Sequence, residues 1–178
     1  MKEITLQEFL DDQPLYLQEA RAGKIFIYPT DTVYGIGWLY KPPLVEKIFA
    51  IKEREPDKMF SIIAPSFEWI ENNYGNTTTI DIDILKKYLD IYHGVTYIFT
   101  YERPWVRILK HPFQSFVEVL GEPFITTSCN VADEPPLNDL QNLSPELKSK
   151  VDYIIDGGIL PWKPSVLIDL VENKIIER

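Results

Sequence analysis

Two periods of apolar residues alternate along the chain. Thr5-Leu6-Gln7-Glu8 has the form of a capping box that opens an amphipathic helix, which Pro14 splits in two before Gly23 closes it. Lys24-Ile25-Phe26-Ile27-Tyr28 is then a short continuous apolar run, the pattern of a buried strand, and Pro29 ends it. Thr30 to Ile36 reads as a polar loop. Pro43 to Lys52 returns to helical spacing through Leu44, Ile48 and Ile51, with Val45 and Phe49 alongside. Met59 to Ala64 predicts another buried strand. A helix from Ser66 follows, then one from Thr79 to about Tyr92 marked by Ile80, Ile84, Tyr88 and Ile91.

The second half continues the alternation. Strands are predicted at Val95 to Thr100 and Trp105 to Leu109, a helix from Pro112 to Leu120, and a strand from Pro123 to Thr127. Ser165 to Leu170 and Lys174 to Glu177 flank a Val171-Glu172-Asn173 turn and form a terminal hairpin. No internal repeat is present. The predicted architecture is α/β: a twisted mixed sheet flanked by helices, because the hairpin adds antiparallel pairing to crossover connections. At 178 residues the chain suits one domain, covering residues 1–178.

Composition narrows the function classes. With 45% hydrophobic and 13% aromatic residues, an ordinary core forms, which excludes disordered and collagen-like chains. Lys and Arg number 18 against 27 Asp and Glu, a net charge of −9 that argues against DNA binding and against strong nonspecific RNA affinity. The single cysteine, Cys129, fits a reducing compartment. Met1-Lys2-Glu3-Ile4-Thr5 has no signal-peptide character, and no run reaches membrane-spanning length. A soluble cytoplasmic protein is expected.

Common catalytic signatures are absent. His93 and His111 have no partner at zinc-site spacing. No phosphate-loop motif occurs, and Gly35-x-Gly37 is followed by Tyr40 where a dinucleotide fingerprint needs its third glycine. Cys129 at a strand end reads as a small buried hydrophobe rather than a nucleophile. Two tripeptides carry more. In extended chain, side chains two apart share a face, so Lys52 and Arg54 of Lys52-Glu53-Arg54 converge if Pro56 keeps that stretch from being helical. On its own this pair also reads as a solvated helix end. Thr126, Ser128 and Asn130 would likewise share one face, with Thr127 and Cys129 turned inward.

Tyr28-Pro29-Thr30-Asp31-Thr32-Val33-Tyr34-Gly35 resembles the opening motif of the YrdC-like family, the L-threonylcarbamoyladenylate synthases. Further matches follow in that family's order: Lys52-x-Arg54, Asp57-Lys58, Val106-Arg107 with His111-Pro112, Thr127-Ser128-Cys129-Asn130, Asp156-Gly157-Gly158, and Pro164-Ser165 before Asp169. Several ordered motifs from Lys24 to Leu170 are far more specific than any one of them.

The resemblance implies a fold with a large positively lined cavity that binds ATP, L-threonine and bicarbonate. It implies release of pyrophosphate and threonylcarbamoyl-AMP, which passes to a downstream transferase complex that modifies adenosine in tRNA. The implied catalytic tetrad is Lys52, Arg54, Ser128 and Asn130. Cations suit this chemistry, because attack on the α-phosphate spreads negative charge over oxygens and a pyrophosphate leaving group. Lys58, Arg107, Thr126 and Ser165 are the implied nucleotide-binding residues. Thr30, Asp31, Thr32, Tyr34 and Thr96 are the implied threonine and carbamate site, with Asp31 suited to an ammonium or to a structural role. Taken alone, Thr30, Thr32 and Tyr34 read as side chains that bond within their own loop. Mg²⁺ would be held mainly by phosphates, with no protein ligand.

Arg107 lies in the apolar stretch Trp105-Val106-Arg107-Ile108-Leu109, where alternation sets it beside Trp105 and Leu109. A phosphate contact is expected, with a salt bridge to a nearby carboxylate such as Glu102 as the alternative. The chain departs from the family at Ala132-Asp133, Ile91-Tyr92-His93-Gly94, Lys58-Met59-Phe60 and Val166. These departures leave two alternatives to the enzyme. One is a noncatalytic nucleotide- or RNA-binding module, with at most a weak tRNA contact; the other is a carbamoyl-adenylate former for another acceptor.

Overall fold

The computed structural model describes residues 1–41, 45–46, 51, 59–77, 80–130, 134–161 and 163–177. Most of the helix predicted from Pro43 to Lys52 lies outside the described residues.

Strand β1 (Lys2–Thr5) runs straight into helix α1 (Leu6–Asp11) through the predicted capping box. The Thr5 hydroxyl accepts from the Glu8 N–H at 3.2 Å, and the Glu8 carboxylate accepts from the Thr5 N–H at 2.7 Å. Pro14 falls in the first turn of α2 (Gln13–Arg21), where a missing N–H breaks no helical bond, so the predicted split occurs. Gly23, at φ 80°, follows the helix end.

The chain then forms β2 (Phe26–Tyr28), β3 (Gly35–Gly37), β4 (Ser61–Ile63), α3 (Phe67–Tyr74) and α4 (Ile82–Ile91). Next come β5 (Val95–Ile98), β6 (Trp105–Arg107), α5 (Phe113–Leu120) and β7 (Phe124–Ser128). A 3₁₀ turn (Leu140–Asn142), α6 (Pro145–Ser149), β8 (Tyr153–Asp156), β9 (Val166–Asp169) and β10 (Lys174–Ile176) complete it.

The strands form a mixed sheet in the order β1-β8-β2-β3-β7-β4-β6-β5-β9-β10. Pairing is parallel at β1/β8, β8/β2, β4/β6 and β5/β9 and antiparallel elsewhere, so the predicted mixed α/β class is the one observed. The terminal hairpin is present, with Asn173 at φ 54° in its turn.

One prediction needs correction here. The loop expected from Thr30 to Ile36 ends at Tyr34, because Gly35 and Ile36 open β3 and pair with Tyr28 and Ile27 of β2. Both glycines of β3 are required by contact. A Cβ at Gly37 would stand 1.7 Å from the Ile125 carbonyl oxygen of β7, and one at Gly35 would meet the Tyr28 ring at 2.9 Å.

Each sheet face buries its own cluster. Ile27, Ile36, Ile62, Val106, Ile125 and Tyr97 join residues of α3, α4 and α6. On the other face Phe26, Tyr28, Ile63 and Phe124 pack against Phe9 of α1, Tyr16 of α2, and Phe113 and Phe116 of α5. Tyr28 and Phe113 stack with ring centroids 4.1 Å apart.

Candidate active site

The second face changes character partway along its strands. Ile63 pairs with Phe124 under the aromatic core, and two residues away Ser61 pairs with both Thr126 and Trp105. Paired residues and residues two apart share a side of the sheet, so Ser61, Trp105, Arg107, Thr126 and Ser128 all point the same way. Thr96 joins them, because its neighbour Tyr97 pairs with the oppositely directed Val106. Among the described residues, no helix lines this part of the face. A cavity of about 660 Å³ opens there, floored by these residues and walled by the Thr30–Gly35 segment, Met59, Phe60, Pro136, Pro164 and Ser165.

Eight of the predicted site residues line this cavity: Thr30, Thr32, Tyr34, Thr96, Arg107, Thr126, Ser128 and Ser165. Thr127, expected to face inward, also contributes to its wall. Lys52, Arg54 and Lys58 lie outside the described residues, as do Ala132 and Asp133. Ile51, just before Lys52, is buried in the core, and Met59, just after Lys58, is on the cavity wall.

The Thr30–Tyr34 segment bonds within itself and to its neighbours. The Thr30 hydroxyl donates to the Val33 carbonyl at 2.7 Å, accepts from the Thr32 N–H at 3.1 Å and lies 3.0 Å from the Thr32 hydroxyl. The Tyr34 hydroxyl donates to the Gly158 carbonyl at 2.7 Å and accepts from the Gly157 N–H at 3.0 Å, and burial pushes its pKa up. Thr30 and Thr32 thus bond within their own loop, as the loop-bonding reading expects, whereas Tyr34 ties the loop to Gly157 and Gly158. Gly157 is packed so closely that a Cβ would lie 2.5 Å from Pro29. The Thr96 and Ser165 hydroxyls are 2.8 Å apart across β5 and the start of β9.

Arg107 has the carboxylate partner of the alternative reading, at a different residue. Its Nη2 donates to Asp31 Oδ1 at 2.5 Å and to the Thr32 hydroxyl at 3.2 Å, so its carboxylate is Asp31 and not Glu102. Asp31 is itself buried, away from the cavity wall, and its Oδ2 accepts from the Lys110 N–H at 3.0 Å. Both Asp31 oxygens are engaged within the protein, which fits the structural reading. Arg107 Nε is buried without a hydrogen-bond partner. Among the described lining residues Arg107 is the one cation.

Asn130 departs too. It lines an adjoining cavity of about 430 Å³ with Cys129, Glu134 and Asn138, instead of the first one. It still touches the first through Ser128, whose hydroxyl donates to Asn130 Oδ1 at 2.7 Å, while Asn130 Nδ2 donates to the Glu134 carbonyl at 2.6 Å. Cys129 is buried, as expected.

Sequence reasoning missed Ser61 and Trp105, which depend on strand register, and Gln114, which no motif marks. Gln114 is buried in α5 and accepts from the Leu109 N–H at 2.9 Å while donating to the Ala64 carbonyl at 3.0 Å. It thereby holds the ends of β4 and β6 that carry the floor. Its place two residues after His111-Pro112 was the available signal.

The profile of the Sua5/YciO/YrdC domain, described as telomere recombination, matches residues 18–94 and 105–178. The chain belongs to the Sua5/YciO/YrdC family. A threonylcarbamoyl-AMP synthase of Coxiella burnetii is 27% identical to it over 94% of this chain and 99% of its own. A relative from Methanocaldococcus jannaschii is 30% identical over 89% of this chain and 80% of its own. Among solved structures, the H234A/Y235A form of P. abyssi Sua5 superposes with a TM-score of 0.80 at 24% identity, covering 98% of this chain. This family member spans only 55% of that Sua5 chain. The same Sua5 complexed with L-threonine gives a TM-score of 0.74 at 23% identity, over 93% of this chain and 53% of the Sua5 chain.

Proposed function

We propose that this protein is a threonylcarbamoyl-AMP synthase, a nucleotidyltransferase that joins L-threonine, bicarbonate and ATP. One domain carries the whole reaction. The threonine amine adds to the carbon of bicarbonate with loss of water, giving a carbamate. A carbamate oxygen then attacks the α-phosphorus of ATP, and pyrophosphate leaves. The observation that best supports this reading is the hydroxyl-lined floor around a buried arginine, in a cavity large enough for a nucleotide and an amino acid.

In this reading the Thr30–Tyr34 wall, with Thr96, holds threonine and its carbamate, the wall supplying shape and Thr96 a hydroxyl. Thr126, Ser165 and Arg107 face the nucleotide, with Ser128 fixed by Asn130 at the reacting phosphate. Lys52, Arg54 and Lys58 supply the remaining positive charge toward the triphosphate, which stabilises the charge that develops as pyrophosphate departs. No His, Cys, Asp or Glu cluster suited to a metal occurs among the described residues, so Mg²⁺ would arrive on the phosphates and keep most of its waters. The product passes to a transferase that acts on tRNA. Among the described residues no helix is long and apolar enough to cross a membrane, and we place the protein in the cytoplasm.

The test is pyrophosphate release with each amino acid in turn, with bicarbonate present or withheld. Release that needs ATP, threonine and bicarbonate together supports the reading. Binding without release supports a noncatalytic module instead, and release with another acceptor supports a different carbamoyl adenylate.

A further inference from the structure

We propose that Asp31 is a positioning residue that acts through Arg107, holding its guanidinium in place for an oxyanion bound in the cavity. The proposal rests on the reading of this cavity as a substrate site. Asp31 is buried, with both carboxylate oxygens engaged: Oδ1 by Arg107 Nη2 at 2.5 Å and Oδ2 by the Lys110 N–H at 3.0 Å. It is thus anchored to the backbone just past β6 and grips the side chain that β6 projects. A guanidinium is planar and rigid, so fixing Nη2 also fixes the direction of Nε.

Nε itself meets no acceptor among the described residues. Arg107 is 8% exposed and lines the cavity, and its Nε is the buried side-chain polar atom left without a hydrogen bond among the described residues. A buried unmatched donor is costly, and a buried ion pair is weak evidence of a purely stabilising role. Both costs make sense if an anion completes the arrangement. A carboxylate or a phosphate has the right chemistry, since each accepts charge-assisted bonds from one edge of a guanidinium.

Gly94 is built around the same pair. A Cβ there would lie 2.6 Å from Thr32 Cγ2, and 3.5 Å from both Arg107 Nη2 and Asp31 Cγ. Adding one methyl group therefore presses on Thr32, whose hydroxyl bonds Arg107 Nη2, without removing any functional group. This gives a probe of position alone.

The experiment is calorimetric titration of inorganic pyrophosphate and, separately, of L-threonine into the wild-type protein, Asp31→Asn, Arg107→Gln and the double variant, with melting curves for each. Pyrophosphate reports a phosphate source for the oxyanion and threonine a carboxylate source. For one of these ligands, Asp31→Asn and Arg107→Gln are each expected to weaken binding about tenfold or more, the size of a lost charge-assisted bond. The double variant should be no weaker than Arg107→Gln, because Asp31 then has nothing to act through. Losses that multiply in the double variant would mean that Asp31 touches the ligand itself. A lower melting temperature with both affinities unchanged would mean a structural pair. Either result overturns the proposal, as does wild-type protein that binds neither ligand or binds both independently of Arg107. If Asp31→Asn fails to fold, Gly94→Ala must weaken the same ligand, and an unchanged affinity overturns the proposal. Because no turnover is read, a protein that binds an oxyanion through Arg107 but releases no pyrophosphate from ATP contradicts the synthase reading and leaves this one standing.

Discussion

Ser128 and Asn130 show how two residues at one spacing divide their labour. Ser128 lines the cavity, and Asn130 stands behind it, accepting a hydrogen bond from its hydroxyl while tied to the Glu134 carbonyl. Replacing Asn130 by alanine should therefore lower kcat about tenfold or more, through a misdirected Ser128, with little change in the melting temperature. Cys129→Ser should do the reverse. It adds a hydroxyl to a buried site and costs about 1–3 kcal/mol of stability while turnover per folded molecule persists. Denaturant melts paired with initial rates check both, and a folded but inactive Cys129→Ser would point to thiol chemistry. At this scale the sequence revealed residue types better than residue partners. Spacing placed Thr126 with Ser128 and Arg107 with Trp105 on shared faces, which follows from backbone geometry alone. It could not find Asp31 as the partner of Arg107, because that contact spans 76 positions and depends on the sheet order.

Helices were more legible than strands, and the reasons are local. The Thr5–Glu8 capping box, the Ser66 cap of α3 and the apolar face of α5 are all written within one or two turns. Strands β1 and β3 were missed because their residues do not announce them. Lys2–Thr5 is mostly polar and exposed, and Gly35–Gly37 has one side chain to carry a pattern. Strand β3 exists because its glycines let β2 and β7 close around it. Gly37→Ala tests this, since the new Cβ would collide with backbone that no side-chain rotation can relieve. The expected loss is about 3 kcal/mol or more, at the upper end for overpacking, measured by denaturant unfolding. A variant of wild-type stability would mean that β3 and β7 are not held as closely as described.

Across the whole molecule, the α/β class and the mixed sheet followed from alternating periods, whereas the cavity needed the register that sets Ser61, Thr126 and Trp105 in one row. The same register puts the site next to a pH-sensitive support. His111 Nδ1 accepts from the Phe113 N–H at 3.2 Å at the start of α5, which requires an unprotonated nitrogen. Burial lowers its pKa below 6.5, opposed by the Asp31 charge. The unfolded chain thus binds this proton more readily than the folded one. The contribution of His111 is complete above pH 6.5 and is lost as pH falls toward the folded value. His111→Asn, whose side-chain oxygen can take the same N–H, should show a shallower fall in stability over that window than the wild-type protein. Equal slopes in matched melts would remove His111 from the account.

A cavity that makes a threonylcarbamoyl adenylate must release that product and pyrophosphate together. Purified protein is incubated with ATP, Mg²⁺, bicarbonate and L-threonine, and both pyrophosphate and the AMP-linked product are followed by chromatography and mass. The account predicts equal amounts of the two, nothing when threonine or bicarbonate is withheld, and a loss of about a hundredfold or more in Lys52→Ala and in Arg54→Ala with the fold intact. Pyrophosphate that forms without threonine, or wild-type rates in both variants, would contradict it.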